Sequence, residues 1–155
     1  LSVGPHDRPP RAYRGKDFVW WLGKLGHWDA KTREPGMEHV TIAVSGALGG
    51  HTVDFRKLAA QGMVLLGRAG TYADGVLHFA TDLAQNIARG DAHYLSVLDT
   101  ADAYAAREGL DLPPEPEAMH PPGGLVPGGG GPCVLYMWYH GAWLEVRGGW
   151  RGGCN

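Results

Sequence analysis

LSVGPHDRPPRAYRGKDFVWWLGKLG, residues 1–26, is the stretch from which the rest of the chain is read. Leu1 to Val3 reads as a short apolar strand that turns at Gly4-Pro5. His6, Arg8, Arg11 and Arg14 then follow within nine residues, interrupted by Pro9-Pro10. In open α/β proteins ligands gather at the carboxyl ends of strands, and guanidiniums recognise phosphate by charge-assisted hydrogen bonds. A strand end, a rigid turn and a basic hook therefore point to an anion site, most simply for a phosphate. The plainer alternative is a solvated charge cluster after a turn, since surface arginines usually pair weakly. From Lys16 to Trp28 the spacing predicts a helix, which Gly26 ends or loosens: Phe18, Trp21, Leu22, Leu25 and Trp28 recur every three or four residues, and Asp17 suits its positive first turn.

The wider composition bounds the answer. A chain of 155 residues with 44% hydrophobic residues is one ordinary globular domain's worth. Charge is unevenly spread. Residues 1–33 hold seven Lys/Arg against three Asp/Glu, and residues 34–118 hold five against twelve. This falls short of the basic stripe with interleaved aromatics that nucleic-acid binding asks for, so no nucleic-acid partner is expected. Two cysteines, Cys133 and Cys154, make neither a disulfide framework nor a CxxC pair. No apolar run approaches the ~18 residues of a spanning helix and no signal-peptide pattern is present, so no membrane partner is expected and the default compartment is the cytoplasm. Oligomeric state is not legible.

Beyond residue 28, Asp29 to Met37 is a polar loop with a Pro-Gly turn, and His39 to Val44 reads as a strand running into a glycine-rich loop, Ser45 to Gly50. That loop could cradle a phosphate, but its spacing fits neither GxGxxG nor the P-loop, which favours a plain flexible connection. Val53 to Gln61 reads as a helix with Phe55, Leu58 and Ala59 inward, stopped at Gly62. Met63 to Leu66 and Val76 to Phe79 are apolar and flank an Asp-Gly turn, which predicts a β-hairpin flap. Thr81 to Glu108 is the longest helical pattern, with Leu83, Ile87, Tyr94, Leu95, Leu98, Ala101 and Ala105 on one stripe, capped by Thr81 and expected to split at Gly90-Asp91. Leu112 to Glu117 stops it. Residues 119–155 hold eleven of the 25 glycines, and there only Val134 to Tyr139 and Trp143 to Val146 can form a hairpin.

The run RPPRAYRGKDFVWWL, followed by VSGALGGHTVDFRKLAAQGMVLLGRAGTYADGVLHFATDLAQNIARGDAHYLSVLDTADAYAAREGLDLP, resembles the internal part of FAD-dependent oxidoreductases. These are the flavin-containing monooxygenase-like proteins often described as flavoproteins involved in potassium transport. The resemblance runs from about Leu1 to Glu117. It implies an α/β fold: residues 1–118 as a partial Rossmann-like NAD(P)H-binding domain with a hairpin flap and a helical segment, and residues 119–155 as a glycine-rich tail, poorly ordered or out of frame. It also implies that the strand ending at Ser2-Val3-Gly4 is the second strand of the NAD(P) fold, beside the adenosine ribose. Arginines there favour the 2′-phosphate of NADPH, whereas an acidic residue favours the ribose diol of NAD. His6, Arg8, Arg11 and Arg14 are the cofactor-binding candidates, with Arg8 and Arg11 preferred. Asp7 keeps NAD open.

The departures set further expectations. No GxGxxG occurs in the chain for FAD or for NAD(P), so FAD belongs to the full-length parent alone and no catalytic residue is assigned. The start at Leu1, inside a strand, reads as a truncation point. The function implied is that of a fragment of an NAD(P)H- and FAD-dependent, monooxygenase-like oxidoreductase that contributes the 2′-phosphate side of the site. The alternative is a non-enzymatic anion- or nucleotide-binding module, or an inactive gene fragment. The eight histidines show neither HxxxH nor HExxH spacing, so no metal is expected. Trp21 and Trp28 share a helical face and read as core. Cys133 has no activating neighbour that would make it a nucleophile.

Overall fold

The computed structural model describes residues 1–31, 34, 42–73 and 76–119, together with the backbone of two strands at 133–139 and 142–148. In chain order the elements are β1 (Ala12–Tyr13), β2 (Lys16–Asp17), α1 (Phe18–Lys24), β3 (Val44–Ser45), β4 (His51–Thr52), α2 (Phe55–Ala60), β5 (Ala69–Ala73), β6 (Val76–Phe79), α3 (Leu83–Arg107), β7 (Cys133–Tyr139) and β8 (Ala142–Gly148). The chain is mixed α/β. Its named strands form four two-stranded antiparallel sheets, and parallel pairing among the described residues is confined to single bridges, Ser2 with Leu66 and Asp7 with Ile42. No described helix is long and apolar enough to cross a membrane. Two compact units result, one of Pro5–Asp54 and Ala88–Gly123, the other of Leu1–Gly4, Phe55–Ile87 and Gly124–Asn155.

The first unit is built around an aromatic core. β1 and β2 pair with Ala12 opposite Asp17 and Tyr13 opposite Lys16, and the two residues between them, Arg14 and Gly15, both have positive φ. That is the type I′ geometry whose twist suits a two-residue hairpin. Asp17 then caps α1: its side chain accepts the Val19 N–H at 2.8 Å. The helix presents Trp21 to Tyr13, Leu98, Ala101 and Ala105, and the Trp21 indole N–H donates to the Tyr13 carbonyl at 3.0 Å. Trp20 and Tyr104 both meet Trp21 edge to face, at 4.9 and 6.4 Å between centroids, the arrangement favoured by opposed ring quadrupoles.

Two expectations are corrected here. The helix read over Lys16 to Trp28 ends at Lys24: Gly26 turns left-handed, the stop expected there, and a short 3-10 turn, His27–Asp29, carries Trp28 off the helix. Trp28 thereby leaves the apolar face and is 62% exposed, its indole edge lying against Gly23 rather than in the core. Nor does Gly90 split the long helix, which runs unbroken for 25 residues. A Cβ at Gly90 would stand 2.4 Å from Nε2 of His6, so the glycine makes room for a buried histidine. The expected stripe is otherwise present, with Ile87, Leu98, Ala101 and Ala105 buried and Tyr94 and Leu95 half-buried.

In the second unit Leu66 bridges Ser2 in one parallel rung, its carbonyl accepting the Val3 N–H at 2.8 Å and its N–H donating to the Leu1 carbonyl at 2.9 Å. The strands expected at Leu1 to Val3 and Met63 to Leu66 are thus reduced to that bridge. Val76 to Phe79 does form a hairpin strand, but its partner is β5, from Ala69 opposite Phe79 to Ala73 opposite Val76, rather than the expected Met63 to Leu66. Its Asp-Gly turn lies outside the described residues. Asp82, not Thr81, holds the N-cap position of α3, since its carbonyl accepts the first helical N–H, from Asn86, at 2.9 Å. Asp82 has a second task, accepting the Arg68 N–H at 2.9 Å, and that bond and a further one from Asn86 hold its carboxyl below the usual carboxylate range. The tail strands β7 and β8 pair in unbroken register from Cys133 opposite Gly148 to Tyr139 opposite Ala142, which matches the hairpin expected there.

Candidate functional site

All four residues singled out from the sequence fall in the first unit, yet the structure gives them different employments. His6 is buried against Gly90. Arg8 is 4% exposed; its guanidinium lies 3.0 Å from Asp91 and 4.0 Å from Asp54, with its carbon 4.7 Å from the Tyr94 ring centroid. A cation so buried is tolerated because carboxylates and a ring face replace its water. Burial pushes the Tyr94 phenol above its ordinary value, and the neighbouring Arg8 charge acts the other way.

Arg14 is a clasp. In its left-handed conformation it donates from Nη1 to Asp102 at 2.9 Å, from Nη2 to the Leu112 carbonyl at 2.9 Å and from Nε to the Pro113 carbonyl at 3.2 Å. Its backbone N–H donates to Glu115 at 2.6 Å. The other Asp102 oxygen accepts the Tyr13 hydroxyl at 2.9 Å. Burial first, and then this carboxylate, push the Tyr13 phenol far up.

Arg11 is placed differently. It immediately precedes β1, and its carbonyl accepts the Phe18 N–H at 2.9 Å across the hairpin. Its own N–H donates to Oγ1 of Thr52 on β4 at 2.8 Å. Between β3 and β4 the loop Gly46 to Gly50 carries Leu48, Gly49 and Gly50 at positive φ, and a Cβ on Gly50 would stand 2.2 Å from Nε of Arg11. The glycine is needed twice, for its φ of 88° and for this close approach. The guanidinium, 27% exposed, pairs through Nη1 with Asp17 Oδ2, and the Asp17 side chain is 46% exposed. Asp17 is held below the ordinary carboxylate range, first by the Val19 N–H and then by Arg11.

The four candidates therefore do not converge on one point. Arg8 and Arg14 are engaged by partners within the unit, and His6 packs against a helix. Arg11 presents a charged group at a surface, beside a glycine-rich loop whose backbone comes within contact. Arg11 and Gly50 are 39 positions apart, and the β3–β4 hairpin joins them. The chain matches no protein-family model, no curated protein and no solved structure. Among the described residues no group of three or more His, Cys, Asp or Glu could hold a metal ion.

Sequence reasoning missed Asp54, Asp91 and Asp102 as partners of the hook. The signal was present in part: the residues after 33 carry the excess of carboxylates that the basic hook lacks. Which carboxylate meets which arginine depends on the path of α3, and that is not local information.

Proposed function

We propose that this chain forms part of the NADPH-binding side of an NAD(P)H- and FAD-dependent, monooxygenase-like oxidoreductase, and that Arg11 is its contact with the adenosine 2′-phosphate. The reading rests on the ordered resemblance of residues 8–22 and 44–113 to those flavoproteins and on the basic residue types gathered in the hook. The observation that carries it is the partly exposed Arg11 side chain, packed so closely on Gly50 that any Cβ there would collide with it. A phosphate dianion would accept from the solvent-facing edge of that guanidinium.

His6, Arg8 and Arg14 serve this site indirectly, by fixing the segments on either side of Arg11. NADPH, once bound, supplies a hydride to a flavin. The sequence offers no glycine fingerprint for FAD, so no step through FAD is assigned to these residues. The test is equilibrium titration of the full chain with NADPH and with adenosine 2′,5′-bisphosphate. Binding of both that is lost in Arg11→Ala supports the reading. Equal binding by wild type and Arg11→Ala would overturn it, and no binding by either would favour an inactive fragment.

A further inference from the structure

Resting on that reading, we infer that Asp17 is an internal stand-in for the nucleotide phosphate: its carboxylate pairs with Arg11 and yields the guanidinium to the 2′-phosphate. Asp17 is then the residue that sets how strongly NADPH is preferred over NADH.

The β1–β2 register brings the two residues together, since Ala12 faces Asp17 and Arg11 faces Phe18. The Asp17 carboxylate divides its oxygens. Oδ1 accepts the Val19 N–H at 2.8 Å and Oδ2 takes the Arg11 guanidinium. The first task is helix capping, which any short polar acceptor performs. The second needs the negative charge.

Three features make the pair exchangeable. Both side chains are partly in solvent, where ion pairs are weak. The Arg11 backbone is anchored independently, through Thr52 and Phe18, so the guanidinium keeps its place when Asp17 lets go. A phosphate monoester carries about −1.5 to −2 charges and three acceptor oxygens, against one charge and two oxygens on the carboxylate. The Arg8 and Arg14 pairs lack this character: the first is buried and the second is tied at several points. NADH brings no group that needs Arg11 released, so the competition penalises NADPH selectively.

Asp17→Asn and Asp17→Ser both keep a capping side chain and remove the charge. Titrated with NADPH and NADH, each variant should bind NADPH about three- to fivefold more tightly than wild type, with NADH affinity unchanged. Circular dichroism melts verify that the fold is kept, and the second variant guards against failure of the first. Unchanged or weaker NADPH binding in both, with Arg11→Ala still losing NADPH, would overturn the role of Asp17 and leave the phosphate site standing. Failure of Arg11→Ala to affect NADPH binding would remove the phosphate site and this inference together.

Discussion

Replacing Gly90 by alanine tests the packing that organises the first unit. In an ordinary exposed helix the change stabilises by about 1 kcal/mol, because glycine is the poorer helix former. At this position the new Cβ would lie 2.4 Å from Nε2 and 3.1 Å from Cδ2 and Cε1 of His6. Unbonded carbons settle near ~3.5 Å, so the ring must retreat by about 1 Å. His6 is buried and has little room to do so. Overpacking of this kind costs about 1–3 kcal/mol, which offsets or outweighs the propensity gain and leaves Gly90→Ala neutral to destabilising by up to about 2 kcal/mol. In a His6→Ala background the obstruction is gone and the same substitution should stabilise by about 1 kcal/mol. Urea unfolding of the four proteins, followed by far-ultraviolet circular dichroism, gives the coupling directly. A stabilising Gly90→Ala in both backgrounds would refute the contact.

Two further outcomes follow from the buried charges and phenols. Arg8→Ala removes the cation beside Asp54, itself buried, and Asp91, and should cost about 3 kcal/mol in denaturant unfolding, whereas a loss below ~1 kcal/mol would mean that the pair is exposed in solution. The Tyr13 phenol is raised from its ordinary 10.0, so the unfolded chain ionises first and stability is lost as pH climbs beyond about 10. Tyr13→Phe should flatten that alkaline decline in thermal melts, with a remainder due to Tyr94, which burial shifts the same way. An identical decline in wild type and variant would contradict the burial of Tyr13 and its bond to Asp102.

Local patterns carried much of the fold. The three-and-four spacing of Leu98, Ala101 and Ala105 named the buried face of α3, and apolar runs named β6 and the β7–β8 hairpin, but the partner of β6 is Ala69–Ala73, much of it in the stretch read as a turn, and not Met63 to Leu66. Misreadings arose where a local rule met a distant neighbour. Gly90 looked like a helix break because the residue filling the space above it, His6, lies 84 positions earlier. Trp28 looked like core because periodicity continues past the left-handed Gly26 that ends the face. At the site, the basic hook was visible as a cluster of residue types. Its division into one buried cation, one clasp and one surface guanidinium was not, since burial is decided by Asp54, Asp91 and Asp102 on other segments.

The central claim is that Arg11 reads a 2′-phosphate, and the ratio of NADPH to NADH affinity measures it most directly. A charge-assisted pair of this kind contributes about 1.5–3 kcal/mol, so wild type should prefer NADPH by about 10- to 100-fold, and Arg11→Ala should bring the ratio close to one. A wild-type ratio near one, or a preference for NADPH that survives Arg11→Ala, would contradict the account.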